Sequence, residues 1–162
     1  MTKLRKLTAL LLAGALTLLL LTACSGGGGS SGPEAQAEAE VMRAIRSNPS
    51  TASLKYDDGM CNIAKETLAR ANLDADLKGS IGGYKFYNDV KYDKETSTLT
   101  LIAQYDYKDT TLEELIGYIT KNNVASNLKF NLSSNRAKVG VAAKIYKGKT
   151  YIAITLQAVK KT

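Results

Sequence analysis

The stretch from Tyr151 to Val159 most constrains the fold, because it is mostly apolar on both faces. An extended strand shows alternate side chains to its two sides. A strand apolar on both therefore needs cover above and below, which places it inside a sheet rather than on its surface. Just before it, Val139, Val141, Ala143 and Ile145 alternate with Lys138, Gly140, Ala142 and Lys144. Lys147-Gly148 stands between the two runs, and a two-residue connection with glycine second is a strong hairpin signal. A second hairpin is expected from about Tyr84 to Tyr105. Its first arm holds Tyr84-Lys85-Phe86-Tyr87 and Val90-Lys91-Tyr92. Asp93 to Ser97 forms a polar turn, and the second arm carries Leu99, Leu101 and Ala103 against Thr98, Thr100 and Gln104.

Helical patterns supply the cover. From Glu34 to Ser47, acids come first, Val41, Met42 and Ile45 form an apolar stripe, and Arg43 and Arg46 lie near the end. This charge order suits the helix dipole, and Asn48-Pro49 stops the run. From Asp58 to Asn72, Met60, Ile63, Ala64, Leu68 and Ala71 recur at helical spacing, with Asp57 or Asp58 able to cap the first amides. Leu73 to Gly83 lacks a period and reads as a loop. Thr110-Thr111-Leu112-Glu113 reads as a capping box before a third helix that bears Leu112, Leu115, Ile116 and Ile119 and ends at Asn122-Asn123. A polar loop then continues to about Asn135. The expected fold class is α+β: a helix–sheet–helix (α-β-α) sandwich with a small antiparallel sheet.

The N-terminus follows different rules. Lys3, Arg5 and Lys6 precede the apolar run Leu7–Leu21, and Leu21-Thr22-Ala23-Cys24 closes it. The run is short for a bilayer span of about 20 residues, and no basic stop-transfer cluster follows. The order is that of an export signal. Its end resembles a bacterial lipoprotein lipobox, which implies cleavage before Cys24 and a diacylglycerol on the Cys24 sulfur. Gly26 to Gly29, flanked by serines and ending at Pro33, cannot bury apolar surface and reads as a flexible tether. The chain therefore divides into a signal peptide (1–23), a lipidated cysteine with its tether (24–33) and one folded domain (34–162). The expected location is the cell membrane, lipid-anchored and facing outside the cytoplasm.

Composition narrows the chemistry. The chain has a net charge of +7, and setting aside Lys3, Arg5 and Lys6 leaves +4. Acids are interspersed and no basic block occurs, so nucleic acid is not an expected partner. The sequence has 0 His, which removes histidine triads, histidine general bases and most zinc hydrolase sites. Besides Cys24 there is only Cys61, which cannot form an internal disulfide within the mature domain and reads as a small buried hydrophobe. No catalytic residue, metal ligand or cofactor is expected. Asp57/Asp58, Asp106/Asp109 and Glu113/Glu114 pair carboxylates, but two of these pairs lie at expected helix starts, where capping explains them.

Leu54-Lys55-Tyr56-Asp57-Asp58, followed by Ile63-Ala64 and Leu68-Ala69, resembles the opening of a CAP domain. This fold is shared by cysteine-rich secretory proteins, insect antigen five and plant pathogenesis-related proteins. Near the end, Lys138-Val139-Gly140-Val141-Ala142, Lys147-Gly148 and Tyr151-Ile152-Ala153 resemble the family's closing hairpin. The family's histidine-bearing segment would fall at Lys121 to Asn127, where no histidine stands, so the resemblance implies a degenerate member without the metal site. The implied function is a non-catalytic binding or interaction domain on a membrane tether. Tyr84, Tyr87, Asn88, Asn122, Asn123 and Asn127 are candidates to line its cleft, because tyrosine joins apolar area to a hydroxyl. The membrane, through the lipid on Cys24, and an envelope protein, glycan or lipid ligand are the expected partners. An envelope hydrolase using carboxylates and a structural lipoprotein docking on a protein partner are the alternatives.

Overall fold

A computed structural model describes residues 32–81, 84–105, 117, 132 and 134–159. The expected third helix apart from Gly117, the expected polar loop apart from Leu132 and residues 134–135, and the N-terminal signal and tether as far as residue 31 lie outside the described residues. Helix α1 spans Pro33–Ser47, with Pro33 in the first turn, where its missing N–H costs nothing. Strand β1 is Lys55–Tyr56, and helix α2 spans Asp58–Arg70. Strands β2 (Gly79–Ile81), β3 (Tyr84–Tyr92), β4 (Thr96–Tyr105), β5 (Lys138–Tyr146) and β6 (Lys149–Val159) complete the described elements.

These strands form one 6-stranded sheet in the order β1-β5-β6-β4-β3-β2. Tyr151–Val159 lies within β6, paired to β5 on one side and β4 on the other, as its two apolar faces require. The alternation then sorts the side chains. Leu99, Leu101, Val139, Val141, Ile152, Ile154 and Leu156 share one core with Val41, Met42 and Ile45 of α1. Ile102, Ala142 and Ala153 point the other way and pack with Ala64 and Leu68 of α2, and with Leu73 and Leu77 beyond it. The helices therefore lie on opposite faces of the sheet, and the fold is an α+β sandwich.

Two details depart from the sequence reading. The sheet is mixed, because β1 runs parallel to β5 while the remaining pairs are antiparallel. The chain between the helices passes from one face to the other around the β5 edge, and Lys55–Tyr56 pairs with it in passing. The loop expected over Leu73–Gly83 contains β2. Its glycines carry no strand propensity, so the pattern hides it. Gly79 is required there because the Phe86 ring occupies the space where a Cβ would stand.

Local chemistry fixes the joints. The Asp57 carboxylate accepts from the Met60 amide at 3.1 Å and caps α2. It also pairs with Lys138 Nζ at 2.8 Å, tying the helix start to β5. Lys138 and the Met60 amide hold the Asp57 carboxyl below its ordinary value, with the lysine the larger influence and partial burial opposing. Gly140 lies beneath this turn, where a Cβ would run into the backbone of Met60 and Cys61. Cys61 is buried in the same place. At the hairpin tip Lys147 and Gly148 both take positive φ, 49° and 72°, as a type I′ turn demands.

The outer edge of β5 is closed by α1. Beyond β1, the Ala143 amide donates to the Glu38 carboxylate at 2.9 Å and the Ile145 amide donates to Glu34 at 2.7 Å. Two acids one helical turn apart thus take up two edge donors that no described strand reaches. Burial pushes the Glu38 carboxyl above its ordinary value, with the Ala143 bond and Lys65 opposing that rise.

Candidate functional site

A surface cleft of about 340 Å³ opens where β2 stops alongside β3. Asp76, Lys78, Gly79, Phe86, Tyr87 and Asn88 line it. Two of these, Tyr87 and Asn88, are residues singled out in the sequence. Tyr84 lies in β3 at the paired end, opposite Ile81. Asn122, Asn123 and Asn127 lie outside the described residues.

The cleft's outer wall is built by the turn after α2. The Asn72 amide donates to the Asp76 carboxylate at 2.8 Å, while the Asp76 amide donates to the Asn72 carbonyl at 2.8 Å. The Asn72 side chain accepts from the Asp74 amide at 3.2 Å, a local turn that asparagine favours. Leu73 and Leu77 point inward from the same turn and anchor it to the α2-side core. Asp76 and Lys78 are thereby presented on a fixed frame.

The inner wall is β3. Tyr87 pairs with Ile102 of β4 and packs partly on the α2-side core. Its phenol is pushed above the ordinary value, first by burial and then by the negative charges of Asp89 and Asp76. Phe86 faces the opposite side and packs over Gly79 and against the α1-side core. Asn88 is exposed. The cleft so combines an aromatic ring with a hydroxyl, an amide and one charge of each sign. Such a set can stack on an apolar face and exchange hydrogen bonds with hydroxyls or amides.

A second cluster braces the same turn from the hairpin tip. Tyr146 Oη donates to Asp74 at 2.9 Å and Lys147 Nζ donates to the same oxygen at 2.6 Å. Lys147 and Tyr146 hold the Asp74 carboxyl below its ordinary value. The Tyr146 ring meets Tyr151 edge-on at 6.4 Å, and Lys147 Nζ lies 5.1 Å from its centre.

Of the acidic pairs, Asp57 is engaged in capping α2 and in its Lys138 ion pair, while Asp58 is exposed in the helix's first turn. Asp106, Asp109, Glu113 and Glu114 lie outside the described residues. No group of three or more Cys, Asp or Glu able to hold a metal occurs among the described residues. No described helix is long and apolar enough to cross a membrane. Asp76, Lys78, Gly79 and Phe86 were not singled out in the sequence. Only Phe86 carried a signal, as part of the aromatic run with Tyr87. No family model, curated protein or solved structure matches this chain.

Proposed function

We propose that this chain is a bacterial lipoprotein, anchored outside the cytoplasm by a lipid on Cys24, whose CAP-like domain binds a ligand and does not catalyse a reaction. The observation that carries this reading is Leu21-Thr22-Ala23-Cys24 at the end of a basic and then apolar N-terminus, followed by Gly and Ser. An acylated cysteine supplies a membrane hold of about 0.8 kcal/mol for each buried CH₂. The order of α1, the Leu54–Asp58 segment, α2 and the closing hairpin, with helices on opposite sheet faces, supports the CAP-like reading.

The cleft at Tyr87 and Asn88 is the binding site in this proposal, and a cell-wall glycan is its ligand class. A pyranose ring has an apolar face for Tyr87 and hydroxyls for Asn88, Asp76 and Lys78. Two measurements test the reading. Cells fed labelled palmitate should incorporate it into the wild-type chain, and Cys24→Ser should lose both label and membrane attachment. Soluble cell-wall glycan fragments titrated into the protein should shift the amide resonances of residues 76–79 and 86–88. Tyr87→Ala should remove those shifts while leaving thermal unfolding within a few degrees. A label retained by Cys24→Ser ends the anchor proposal, and a wild type silent to the fragments ends the glycan proposal.

A further inference from the structure

Among the described residues two large apolar side chains stand exposed, Tyr92 at 66% and Ile145 at 40%. They lie at opposite ends of the sheet. Ile145 pairs with Thr150 beside the β5–β6 turn, and Thr150 pairs with Tyr105 at the end of β4. Tyr92 pairs with Ser97, near the start of β4. Along that strand the two levels are roughly 27 Å apart, at about 3.4 Å per residue.

The start of the folded domain selects one end. Glu34 follows Pro33 directly, and its carboxylate accepts from the Ile145 amide at 2.7 Å. Glu38, one turn on, accepts from Ala143. Helix α1 therefore begins at the hairpin end of the sheet. Only residues 25–32 separate it from Cys24, and a stretch of that length reaches at most about 29 Å. A lipid on Cys24 thus brings Ile145 to the bilayer with reach to spare, whereas setting Tyr92 there would take up nearly all of it.

The chemistry of that end suits a layer of lipid headgroups. Lys144, Lys147 and Lys149 stand within five positions of Ile145 and Tyr146. Lys147, Gly148 and Lys149 are exposed, and open space surrounds Gly148. Lysine carries its charge on an apolar stem, so the stem can follow the acyl boundary while the ammonium stays on phosphate. The acids nearest the turn are already engaged. Asp74 accepts from Lys147 and Tyr146, and Glu34 and Glu38 accept the β5 amides.

We propose that the β5–β6 turn, with Ile145 and the three lysines, docks on the anionic leaflet that holds the Cys24 lipid. The proposal rests on that lipid anchor. It gives the domain one standing orientation, with the strands rising from the membrane and the turn at Asp93 and Lys94 pointing away from it.

The test uses the full lipidated chain reconstituted into phosphatidylethanolamine–phosphatidylglycerol vesicles. Flotation with the vesicles reports the anchor. Ile145→Cys and Lys94→Cys, each labelled on the new thiol with an environment-sensitive fluorophore, report the two ends of the sheet, while Cys61 is buried. Emission from position 145 should shift to the blue on reconstitution, and emission from position 94 should not. Adding Lys144→Glu and Lys149→Glu to the Ile145→Cys chain should abolish most of that shift without preventing flotation, because the same headgroups repel the reversed charges. Thermal unfolding in detergent checks that each variant is folded. A floating chain whose label at 145 shifts no more than the label at 94 overturns the docking proposal and leaves the anchor standing. So does a shift at 145 that both reversals leave intact. A wild type that does not float overturns the anchor, and the docking proposal with it.

Discussion

Gly140 carries more structural weight than its size suggests. Its neighbours on β5 are ordinary strand residues, and nothing in the alternation asks for glycine. The reason comes from above: the first turn of α2 rests on it, and a Cβ would meet the backbone of Met60 and Cys61. Backbone cannot swing aside as a side-chain tip can. Gly140→Ala should therefore destabilise the domain by about 1–3 kcal/mol, through displacement of the helix. Urea unfolding would measure it. Gly148→Ala makes a useful comparison, because open space surrounds that position and only its positive φ is strained. The sequence showed both glycines, but it gave a reason only for Gly148. A turn glycine announces itself through its neighbours, whereas a packing glycine depends on residues almost 80 positions away.

At the scale of elements, the two central strands hold a buried polar link. Thr100 of β4 and Thr155 of β6 share a hydroxyl–hydroxyl bond of 2.9 Å on the α2 face. Both are buried. Thr100→Val or Thr155→Val alone should cost about 1–3 kcal/mol, because each leaves the other hydroxyl unsatisfied. The double replacement should cost clearly less than the sum, and a double-mutant cycle by denaturant unfolding reads the difference. Elements with a long period were legible beforehand. Helix α1, helix α2 and both hairpins fall within two residues of their expected bounds, and the sandwich follows from the two-faced pattern of β6. The short strands were not legible. Two or three residues carry no period, and β1 and β2 exist because neighbouring backbone offers them partners. Half of the cleft was hidden for the same reason. Asp76 and Lys78 owe their place to a turn whose hydrogen bonds close through Asn72 and Asp76, while Tyr87 and Asn88 sit in an aromatic strand that can be read directly.

For the whole molecule, two carboxylates set opposing responses to acid. Burial raises Glu38 above 4.5, so the folded state takes up its proton before the unfolded chain does. Stability contributed by that proton is complete below 4.5 and lost as pH rises through the higher folded value. Asp57 is lowered below 3.8, chiefly by Lys138. Its contribution is complete above 3.8 and disappears as pH falls through the lower folded value. Melting temperature should therefore rise slightly on mild acidification and fall at stronger acid. Glu38→Gln should flatten the rise, and Lys138→Met should reduce the fall, both measured by thermal scans across pH.

The placement of the helices also bears on how the chain is made. Both described helices lie in the first part of the domain, yet the strands that cover them, β5 and β6, are the last described elements in the chain. As synthesis proceeds from the N-terminus, α1 and α2 emerge with apolar stripes and nothing to rest on. Neither core can close until Lys149–Val159 is released. The two cores are therefore completed only once β6 has joined β5 and β4.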